Sequence, residues 1–498
     1  MTGPRDFSEL SQYELDPASS ALLPLEFCLE RKVAVLGKAD ASPAVVAMVD
    51  PLDRGLVEEV SRRLRRPVSP VQLNAFEIRR ALSRVHGLPL SGEEGGLIRL
   101  SADRQISFEP GQPPAKLLDD LLAVAIRRRA TDVHLETYHR DVDLRLRIDG
   151  VLVQVTTALA PDNIVRVISR LKVLCELDLA ERRRAQDGRL GVLFEGRRID
   201  VRVSILPGLY GQDVALRLLD PERFILDLGR LEMAPAIGER WGRLIRYPHG
   251  LLLATGPTGA GKTTTLYATV GELRGDPRKI LTVEDPVEYE FPKVNQKSVT
   301  AQMGFADHLR AFLRSNPDIM LVGEIRDVET AVVAIRAATT GHLILSTLHT
   351  RDAISAVARL RALGVSDDYL SDVLVGILAQ RLVRRLCAEC RLQAPAPEGL
   401  VARYFEKPPA FPFFRGAGCA ACEGTGYRGL VGVYELLQPN DAVAAAIGSG
   451  MPVEELRGVA RANGWVPLVE DALGKVAQGV TTLEEVARRI PPKFPFGA

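Results

Sequence analysis

Two kinds of hydrophobic pattern divide the chain. Within residues 115–220, apolar and polar residues alternate in VDLRLRIDGVLVQV and RLGVLFEGRRIDVRVSIL, and a turn dipeptide, Asp149-Gly150 or Glu195-Gly196, interrupts each stretch. Alternation with period two predicts half-buried strands, and Asp-Gly suits a two-residue hairpin. This segment is therefore predicted to be a small α+β domain built on antiparallel pairs. Four residues of the second strand in the latter stretch should share one face: Ile199, Val201, Val203 and Ile205.

From about residue 250 the pattern changes to continuous apolar runs. GLLLAT, KILTVE, DIMLVGE and HLILSTLH are each followed by polar residues and then a helical stretch. Strands that are apolar on both faces are typical of a parallel sheet covered by helices, and ligands bind such folds at the carboxyl ends of the strands. Those ends carry a glycine-rich loop, Glu284-Asp285, Gly323-Glu324 and His349. The pattern predicts an α/β domain with a ligand site at that edge.

The glycine-rich loop follows the first of these runs. GPTGAGKT fits the pattern G-x-x-x-x-G-K-[ST] and lies between a buried run and the helical stretch TTTLYATVGEL. Glycines let backbone N–H groups face phosphate oxygens, the lysine reaches the outer phosphates, and the hydroxyl ligates Mg²⁺. The loop therefore predicts ATP binding, with Lys262 on the phosphates and Thr263 on Mg²⁺. The predicted nucleotide-binding residues are Gly256, Pro257, Thr258, Gly259, Ala260, Gly261, Lys262, Thr263 and Thr264.

Two strand ends supply acids for hydrolysis. Glu324 comes one position later than the acid that holds Mg²⁺ in many nucleotide hydrolases, because the apolar run ends in Gly323. A glutamate there can orient the attacking water or take its proton, while Glu284, with Thr263, lies near the magnesium. The alternative for Glu284 is a solvated strand end. For His349, a γ-phosphate contact and a structural capping role fit the pattern equally well.

Phosphoryl transfer also needs positive charge on the transition state. Arg310 and Arg314 share one face of the helical stretch HLRAFLR, just before the strand that delivers the late glutamate. Arg189, Arg202 and Arg217 come from the antiparallel domain. Most arginines are solvated surface residues, so spacing alone makes these five only candidates for a phosphate contact.

Composition and charge narrow the class of protein. The 498 residues are 46% hydrophobic and 26% charged, as in soluble proteins of several domains. Lys plus Arg (64) nearly balances Asp plus Glu (63), which gives no basic footprint for nucleic acid. The N-terminus has no apolar signal segment, and no stretch approaches the length of about 18 apolar residues that a membrane span needs. We therefore expect a cytosolic chain whose membrane contacts go through partners.

Four of the six cysteines form two C-x-x-C pairs. Two such pairs supply the four thiolates of a closed tetrahedral site, which suits structural Zn²⁺ and leaves no open position for catalysis. Free thiols or a redox pair are the alternative, although no thioredoxin-like context surrounds either pair. The predicted zinc ligands are Cys387, Cys390, Cys419 and Cys422.

Across residues 115–440 the motifs together resemble one family. In order they are ATDVHLE, RIDG, AQDGR, IDVRVS, GPTGAGKTTTLYA, TVEDPVEY, NPDIMLVGEIRD, TTGHLILSTLHT, AQRLVRRLC and GYRGLVGVYELL. The chain is similar to the secretion ATPases of the type II and type IV pilus superfamily, and most similar to the type II secretion assembly ATPases. In this family the Gly-Glu ending is normal, and the resemblance implies that Glu324 is the catalytic glutamate.

The resemblance also implies roles for arginines and an assembly. In the family, arginines of the domain before the motor and of the segment before the late glutamate reach nucleotide phosphates. The matching positions here are Arg189 and Arg202, then Arg310 and Arg314. It implies a homohexamer in which the antiparallel domain of one subunit packs on the motor of the next. Two positions depart from the family, since Arg351 stands where Asn is usual and Thr131 replaces Ser. The first departure puts the hydrogen bonding around His349 in doubt.

The expected fold class is α/β: a RecA-like P-loop motor preceded by a small α+β antiparallel-sheet domain, with an N-terminal partner-binding domain and a tetracysteine zinc lobe. By resemblance, the N-terminal domain docks on the cytoplasmic part of a bitopic inner-membrane protein, and the zinc lobe lies near the polytopic platform protein. We expect peripheral attachment to the inner membrane through these partners. The predicted boundaries are 1–105 for the N-terminal domain, 106–115 for the linker, 116–230 for the α+β domain, 231–385 for the motor, 386–435 for the zinc lobe and 436–498 for a C-terminal helical region.

Other functions are weighed against a hexameric ATPase that drives pseudopilus assembly and protein export. Pilus-extension ATPases share these motifs, usually with a larger N-terminal region than residues 1–105. A nucleic-acid motor would need a basic channel or stacking aromatics, whereas aromatics are only 5% of the chain. A nucleotide-gated scaffold that binds ATP without turnover would leave Glu324 idle.

Overall fold

The computed structural model describes most of the chain as two compact units, Met1–Asp220 and Pro221–Ala498. Among the described residues, no helix has both the length and the apolar character to cross a bilayer. The described residues are 13, 15–20, 22–73, 78, 81–82, 85, 97–100, 112–157, 159–224, 226–275, 277–300 and 302–492.

The first unit contains two sheets. Its helices are Pro17–Ser20, Leu25–Arg31, Arg54–Leu64, Pro114–Arg127 and Pro161–Leu174. Its strands are β1 (Val33–Leu36), β2 (Ala44–Met48), β3 (Val68–Gln72), β4 (Leu97–Leu100), β5 (Asp132–Thr137), β6 (Val142–Ile148), β7 (Val151–Val155), β8 (Gln186–Phe194), β9 (Arg197–Pro207) and β10 (Gln212–Leu219). Strands β1, β2 and β3 form a small sheet in that order. Its core includes Val33, Val46 and Met48.

The second sheet of this unit confirms the predicted antiparallel hairpins. Its order is β4-β8-β9-β10-β5-β6-β7, and neighbouring strands are antiparallel except β4, which runs parallel to β8. Strands β6 and β7 turn at Asp149-Gly150, and strands β8 and β9 at Glu195-Gly196, all four residues with positive φ. Strand β4 falls inside the range predicted for the N-terminal domain but lies in this sheet.

One face of β9 is buried, as its alternation predicts. Ile199, Val201, Val203 and Ile205 are each at most 2% exposed. They form one core with the two long helices of the unit, Pro114–Arg127 and Pro161–Leu174. The polar residues of β9 therefore lie on the face that these helices leave uncovered.

The second unit is built on one large sheet. Its strands are β11 (Gly250–Thr255), β12 (Ile280–Glu284), β13 (Asn295–Ser298), β14 (Ile319–Val322), β15 (Leu343–Leu348), β16 (Leu374–Leu386), β17 (Arg391–Ala394), β18 (Phe413–Gly416) and β19 (Tyr427–Leu437). Its α-helices are Pro235–Leu244, Lys262–Leu273, Phe305–Phe312, Val328–Thr339, Ala353–Ala362, Asp367–Val373, Glu398–Tyr404, Asp441–Gly448, Val453–Ala462, Leu468–Ala477 and Leu483–Arg489. Short 3-10 helices are Pro221–Arg223, Leu228–Leu231 and Ala420–Cys422.

The predicted parallel sheet is confirmed. Its order is β13-β12-β14-β15-β11-β16-β19, with every neighbouring pair parallel except β16 and β19. The four apolar runs predicted as strands are β11, β12, β14 and β15, and every residue in them is buried. Successive side chains of β11 enter different cores: Leu251 and Leu253 lie in one, and Leu252 and Ala254 in the other. Helices therefore cover both faces of the sheet.

The cysteine-bearing lobe is an excursion between β16 and β19. Within it, β17 and β18 form a two-stranded antiparallel sheet. Its apolar residues Val401, Tyr404 and Phe413 share a core with Leu468 and Leu473 of the C-terminal region. Strand β19 overlaps the predicted lobe range of 386–435 but belongs to the motor sheet.

Candidate nucleotide site

The glycine-rich loop joins β11 to the helix Lys262–Leu273, as predicted. Gly256 has φ 154° and Gly261 has φ 86°, conformations that L-residues with a side chain rarely adopt. A Cβ atom on Gly256 would also lie 2.6 Å from the carbonyl oxygen of Gln380. Glycine is therefore required at this position both for the backbone conformation and for the close approach of β16.

Lys262 lies against the loop that precedes it. Its Nζ donates hydrogen bonds to the carbonyl oxygens of Gly256 (2.9 Å) and Pro257 (3.1 Å). Burial lowers the pKa of Lys262 to about 8, although the nearby Glu324 carboxylate opposes that shift. The charged amine can therefore exchange its hydrogen bonds to these neutral carbonyls for stronger, charge-assisted hydrogen bonds to phosphate oxygens.

Glu324 is placed by the pairing of β14 with β15. The Thr347 hydroxyl donates to the carbonyl of Gly323 (2.8 Å), and the amide of Ile325 donates to the carbonyl of Thr347 (3.1 Å). These two bonds fix the backbone on both sides of Glu324, whose side chain is only 15% exposed. The carboxylate therefore has a defined position at the carboxyl edge of the sheet.

The Glu324 carboxylate contacts two basic side chains. Its Oε1 lies 2.5 Å from Nη2 of Arg326, and its Oε2 lies 3.5 Å from Nε2 of His349. Burial lowers the pKa of His349, and the Lys262 cation lowers it further, so the ring is neutral near pH 7. The structure thus brings together Lys262, Glu324 and His349, three of the residues singled out in the sequence.

Glu284 is buried, with both carboxylate oxygens hydrogen-bonded. The Tyr267 hydroxyl donates to Oε2, the Thr282 hydroxyl donates to Oε1 (2.6 Å), and the Gln296 amide also donates to Oε1 (3.2 Å). The reading of Glu284 as a solvated strand end is wrong, because the side chain is 4% exposed. Its place near magnesium stays a prediction.

The two arginines before β14 contact acids and backbone. Arg310 pairs with Asp307 (3.3 Å) on its own helix and with Glu329 (2.6 Å) on the helix Val328–Thr339. Arg314 donates to the carbonyl oxygen of Arg310 (3.2 Å). The predicted phosphate contacts of both residues stay predictions.

In the first unit, the candidate arginines are aligned across the sheet. Arg189 of β8 pairs in register with Arg202 of β9, which pairs with Arg217 of β10. The row continues through Asp132 of β5 to Arg147 of β6, and Asp132 binds Arg217 (3.1 Å) and Arg147 (3.6 Å). The arginine row (Arg189, Arg202, Arg217 and Arg147) thus places four guanidiniums in one line across the sheet, and two of them pair with Asp132. Arg147 was not a sequence candidate, since only the strand register reveals it.

Gln380 and Arg381 of β16 are further site residues that sequence reasoning missed. Gln380 is 1% exposed and bridges the loop to its helix, donating to the carbonyl of Ala260 (2.7 Å) and accepting from the Thr265 hydroxyl (2.9 Å). Arg381 donates to the carbonyl oxygens of Gln380 (2.9 Å) and Arg351 (2.6 Å). Both residues occur in the motif AQRLVRRLC, but that motif alone does not show that β16 lies beside β11.

A cleft of about 740 Å³ opens beside the glycine-rich loop. It joins the start of the loop, the segment after β15 and the helix Ala353–Ala362. The Thr255 and Thr350 hydroxyls hydrogen-bond at 2.7 Å and join the end of β11 to the segment after β15. The lining residues are Pro257, Thr258, His349, Thr350, Arg351, Ser355, Ala358, Arg381 and Val453.

The four cysteines of the lobe form the predicted cluster. The Sγ atoms of Cys387, Cys390, Cys419 and Cys422 all lie within 4.8 Å of one another. The nearest recorded pairs are 3.7 to 3.8 Å apart, too far for a disulfide, which needs about 2.05 Å. Four thiols converging on one point fit a tetrahedral Zn²⁺ ion.

A glycine-rich phosphate loop on a parallel sheet, with a buried lysine and a glutamate at the same edge, defines a P-loop ATPase. Residues 109–488 match the family described as Type II/IV secretion system protein, and residues 5–92 match the MshEN domain. The chain belongs to this secretion ATPase family, in its type II secretion branch, which confirms both the resemblance seen in the motifs and the fold class.

The relatives match over nearly their full length. The type II secretion system ATPase E of Vibrio cholerae is 39% identical, covering 94% of this chain and 96% of the relative. The type II secretion system protein E of Klebsiella pneumoniae is 42% identical over 89% of this chain and 88% of its own. Among solved structures, the pilus retraction motor PilT with bound ADP is 28% identical, with a TM-score of 0.50, over 75% of this chain and 96% of that chain. The Legionella pneumophila ATPase DotB (20% identity, TM-score 0.57) shares the fold over 79% of this chain and 98% of that chain.

Proposed function

We propose that this secretion ATPase works as a homohexamer that hydrolyses ATP to drive pseudopilus assembly and protein export. The observation that carries the hydrolytic part is the meeting of Glu324, His349 and Lys262 at one edge of the sheet, beside the phosphate loop. A carboxylate within reach of the γ-phosphate region is the group that a water-activating ATPase needs.

In the proposed reaction, ATP lies on the loop with its outer phosphates at Lys262. The exposed Thr263 hydroxyl would hold Mg²⁺, which would supply positive charge to the phosphates. Glu324 accepts a proton from the attacking water, whose oxygen bonds to the γ-phosphorus while the bond to the ADP oxygen breaks. Neutral His349 lies 3.5 Å from the other oxygen of the Glu324 carboxylate. In the proposed reaction its ring also contacts the γ-phosphate.

Glu284 is proposed to act with Thr263 near the magnesium. Its hydrogen bonds to Tyr267, Thr282 and Gln296 hold the carboxylate rigidly at the end of β12. A rigid carboxylate can orient water in the metal's outer coordination sphere without ligating the ion itself. This arrangement supports a positioning role for Glu284 and leaves Glu324 as the base.

The test of this function is steady-state ATP turnover of Glu324→Gln. We expect turnover to fall by about 100-fold or more while nucleotide affinity stays near that of the wild type, because glutamine keeps the shape but cannot accept a proton. Glu239→Gln, an exposed glutamate on the helix Pro235–Leu244, is the matched control. Near-normal turnover of Glu324→Gln would contradict the proposed base and turn attention to Glu284.

The proposed ring would bring further arginines to the nucleotide. Arg189 and Arg202 lie in the arginine row. Arg310 lies in the helix Phe305–Phe312, and Arg314 follows that helix by two residues. By family resemblance, these four reach phosphates once subunits assemble. The alignment of the arginine row supports this role, because the register of its four strands places its guanidiniums in one line across a single face of the sheet.

The partners are proposed from the domain order. Residues 1–105 would dock on the cytoplasmic domain of a bitopic inner-membrane secretion protein, and the zinc lobe would lie near the polytopic platform protein. Membership of the type II secretion branch and the separate domain match over residues 5–92 support this arrangement. It would keep the ATPase in the cytoplasm, peripherally attached to the inner membrane. We propose no nucleic-acid partner.

A further inference from the structure

We propose that Arg351 binds the outermost phosphate of the nucleotide and makes the site prefer ATP over ADP. This inference rests on the proposed position of ATP on the glycine-rich loop. Arg351 stands directly after His349 and Thr350, in the segment that follows β15. The side chain is exposed and lines the same cleft as Pro257 and Thr258.

The first argument is the placement of Arg351. The cleft has the start of the glycine-rich loop on one side and residues 349–351 on the other. The hydrogen bond between the Thr255 and Thr350 hydroxyls ties the two sides together, since Thr255 immediately precedes the loop. A phosphate chain on the loop therefore points its free end into the space that Arg351 borders.

The second argument is the backbone on which Arg351 sits. Its carbonyl oxygen accepts a hydrogen bond from Nη2 of Arg381 (2.6 Å). The next residue, Asp352, caps the helix Ala353–Ala362 by accepting from the amide of Ser355 (2.7 Å) and also pairs with Arg457 (3.0 Å). Anchored on both sides, Arg351 has a fixed backbone and a side chain left to bind, which reduces the entropy lost on binding.

The third argument is charge. The ionisable residues that line the cleft are His349, Arg351 and Arg381, and no carboxylate lines it in the described part of the chain. Across the described ranges, no ion pair joins Arg351 to an acid. A guanidinium in an acid-free cleft beside a phosphate loop fits a phosphate, which it binds through two parallel N–H···O bonds. The γ-phosphate is the group that ATP has and ADP lacks, so the preference follows.

The experiment measures the affinities of ATP and ADP in the full-length Glu324→Gln protein, where ATP should persist. A fluorescent ADP is bound first and displaced by each unlabelled nucleotide with Mg²⁺. In this background, Arg351→Asn should lower the affinity for ATP by about fivefold or more and the affinity for ADP by less than about twofold. Arg351→Lys keeps the positive charge but loses the paired N–H donors of the guanidinium. Its affinity for ATP should lie between those of the parent protein and of Arg351→Asn. Arg336→Asn, an exposed arginine outside the cleft lining, is the matched control.

Each other outcome has a definite meaning. Equal weakening of ATP and ADP by Arg351→Asn would overturn the proposal, since it would indicate a general electrostatic effect on the cleft. Unchanged affinities for both nucleotides would overturn it too, because Arg351 would then contact neither. Failure of the parent protein to bind nucleotide, with its fold intact by circular dichroism, would instead refute the underlying position of ATP.

Discussion

At the scale of single residues, burial makes Lys262 sensitive to pH within the physiological range. Within the described part of the chain, the amine has hydrogen bonds only to carbonyls of its own loop, and burial has lowered its pKa to about 8. Only the charged amine binds phosphate strongly, so a free site loses affinity as the pH rises through this value. The Glu324 carboxylate opposes that loss but does not remove it.

The affinity for ADP should therefore fall between pH 7 and pH 9. Below the pKa the free site is already protonated and affinity is flat with pH. Above it, binding must take up a proton, and the dissociation constant rises by up to about tenfold per pH unit. Titration of a fluorescent ADP at a series of pH values measures this, with proton uptake checked in two buffers of different ionisation enthalpy. A dissociation constant that stays level from pH 7 to pH 9 would show that Lys262 is already fully charged at pH 9 or does not bind the phosphates.

The residues that sequence reasoning found and missed differ in one respect. Lys262, Glu324 and His349 each end or follow a recognisable apolar run, and strand ends of a parallel sheet meet at one edge, so their meeting could be predicted. Gln380 and Arg147 lie within strands: Gln380 contacts Ala260 from a distant segment, and Arg147 joins the row through the register of β6 with β5. Only strand order and register reveal such contacts, and a single sequence contains neither.

At the scale of elements, the hydrophobic pattern predicted the strands that are buried on one face or on both faces. The hairpins at Asp149-Gly150 and Glu195-Gly196 and the four buried strands were all predicted from pattern. Strand β13 (NQKS) was not, because none of its residues is apolar or buried. It forms a sheet edge through backbone pairing with β12 and through hydrogen bonds of the Gln296 side chain, and polar bonds of this kind leave no hydrophobic signal in the sequence.

The zinc lobe offers an element-scale prediction. Its two cysteine pairs come from the turn after β16 and the segment before β19, so one ion would tie both ends of the excursion together. Elemental analysis of purified protein should find about one zinc per chain. Cys422→Ser should lower that content and make the lobe susceptible to proteolysis, since metal binding supplies part of its folding free energy. Cys175→Ser, at a cysteine outside the cluster, should keep the zinc.

The zinc content decides between this interpretation and free thiols. Four cysteines that react freely with a thiol reagent in native protein containing no metal would contradict it. The order of the segments was predictable, but the lobe's packing on helices beyond β19 was not, because those contacts join residues far apart in sequence.

At the scale of the whole molecule, the phosphate loop and the arginine row belong to different compact units. If Arg202 reaches nucleotide only in an assembled ring, turnover per chain should rise with protein concentration as rings form. Arg202→Ala should then lower maximal turnover by about 100-fold or more with little change in nucleotide affinity, because it removes charge from the transition state. Steady-state kinetics with sizing by analytical ultracentrifugation measure both effects.

A matched variant separates this role from general destabilisation. Arg166→Ala, at an exposed arginine on the covering helix Pro161–Leu174, should leave turnover unchanged. Turnover that is independent of concentration, or an Arg202→Ala protein with normal maximal turnover, would rule out the arginine row as part of a shared catalytic site.

The path of the chain through the lobe also bears on how such a motor could be shortened. Strands β16 and β19 pair over most of their length, so a tight turn could replace the excursion and leave the sheet intact. The lobe's core, however, includes Leu468, Leu473 and Val486 of the last two helices. Removing the lobe alone would expose an apolar face of those helices to water. The lobe and the C-terminal helices therefore depend on each other to bury their apolar side chains, so a shortened variant should lose both together.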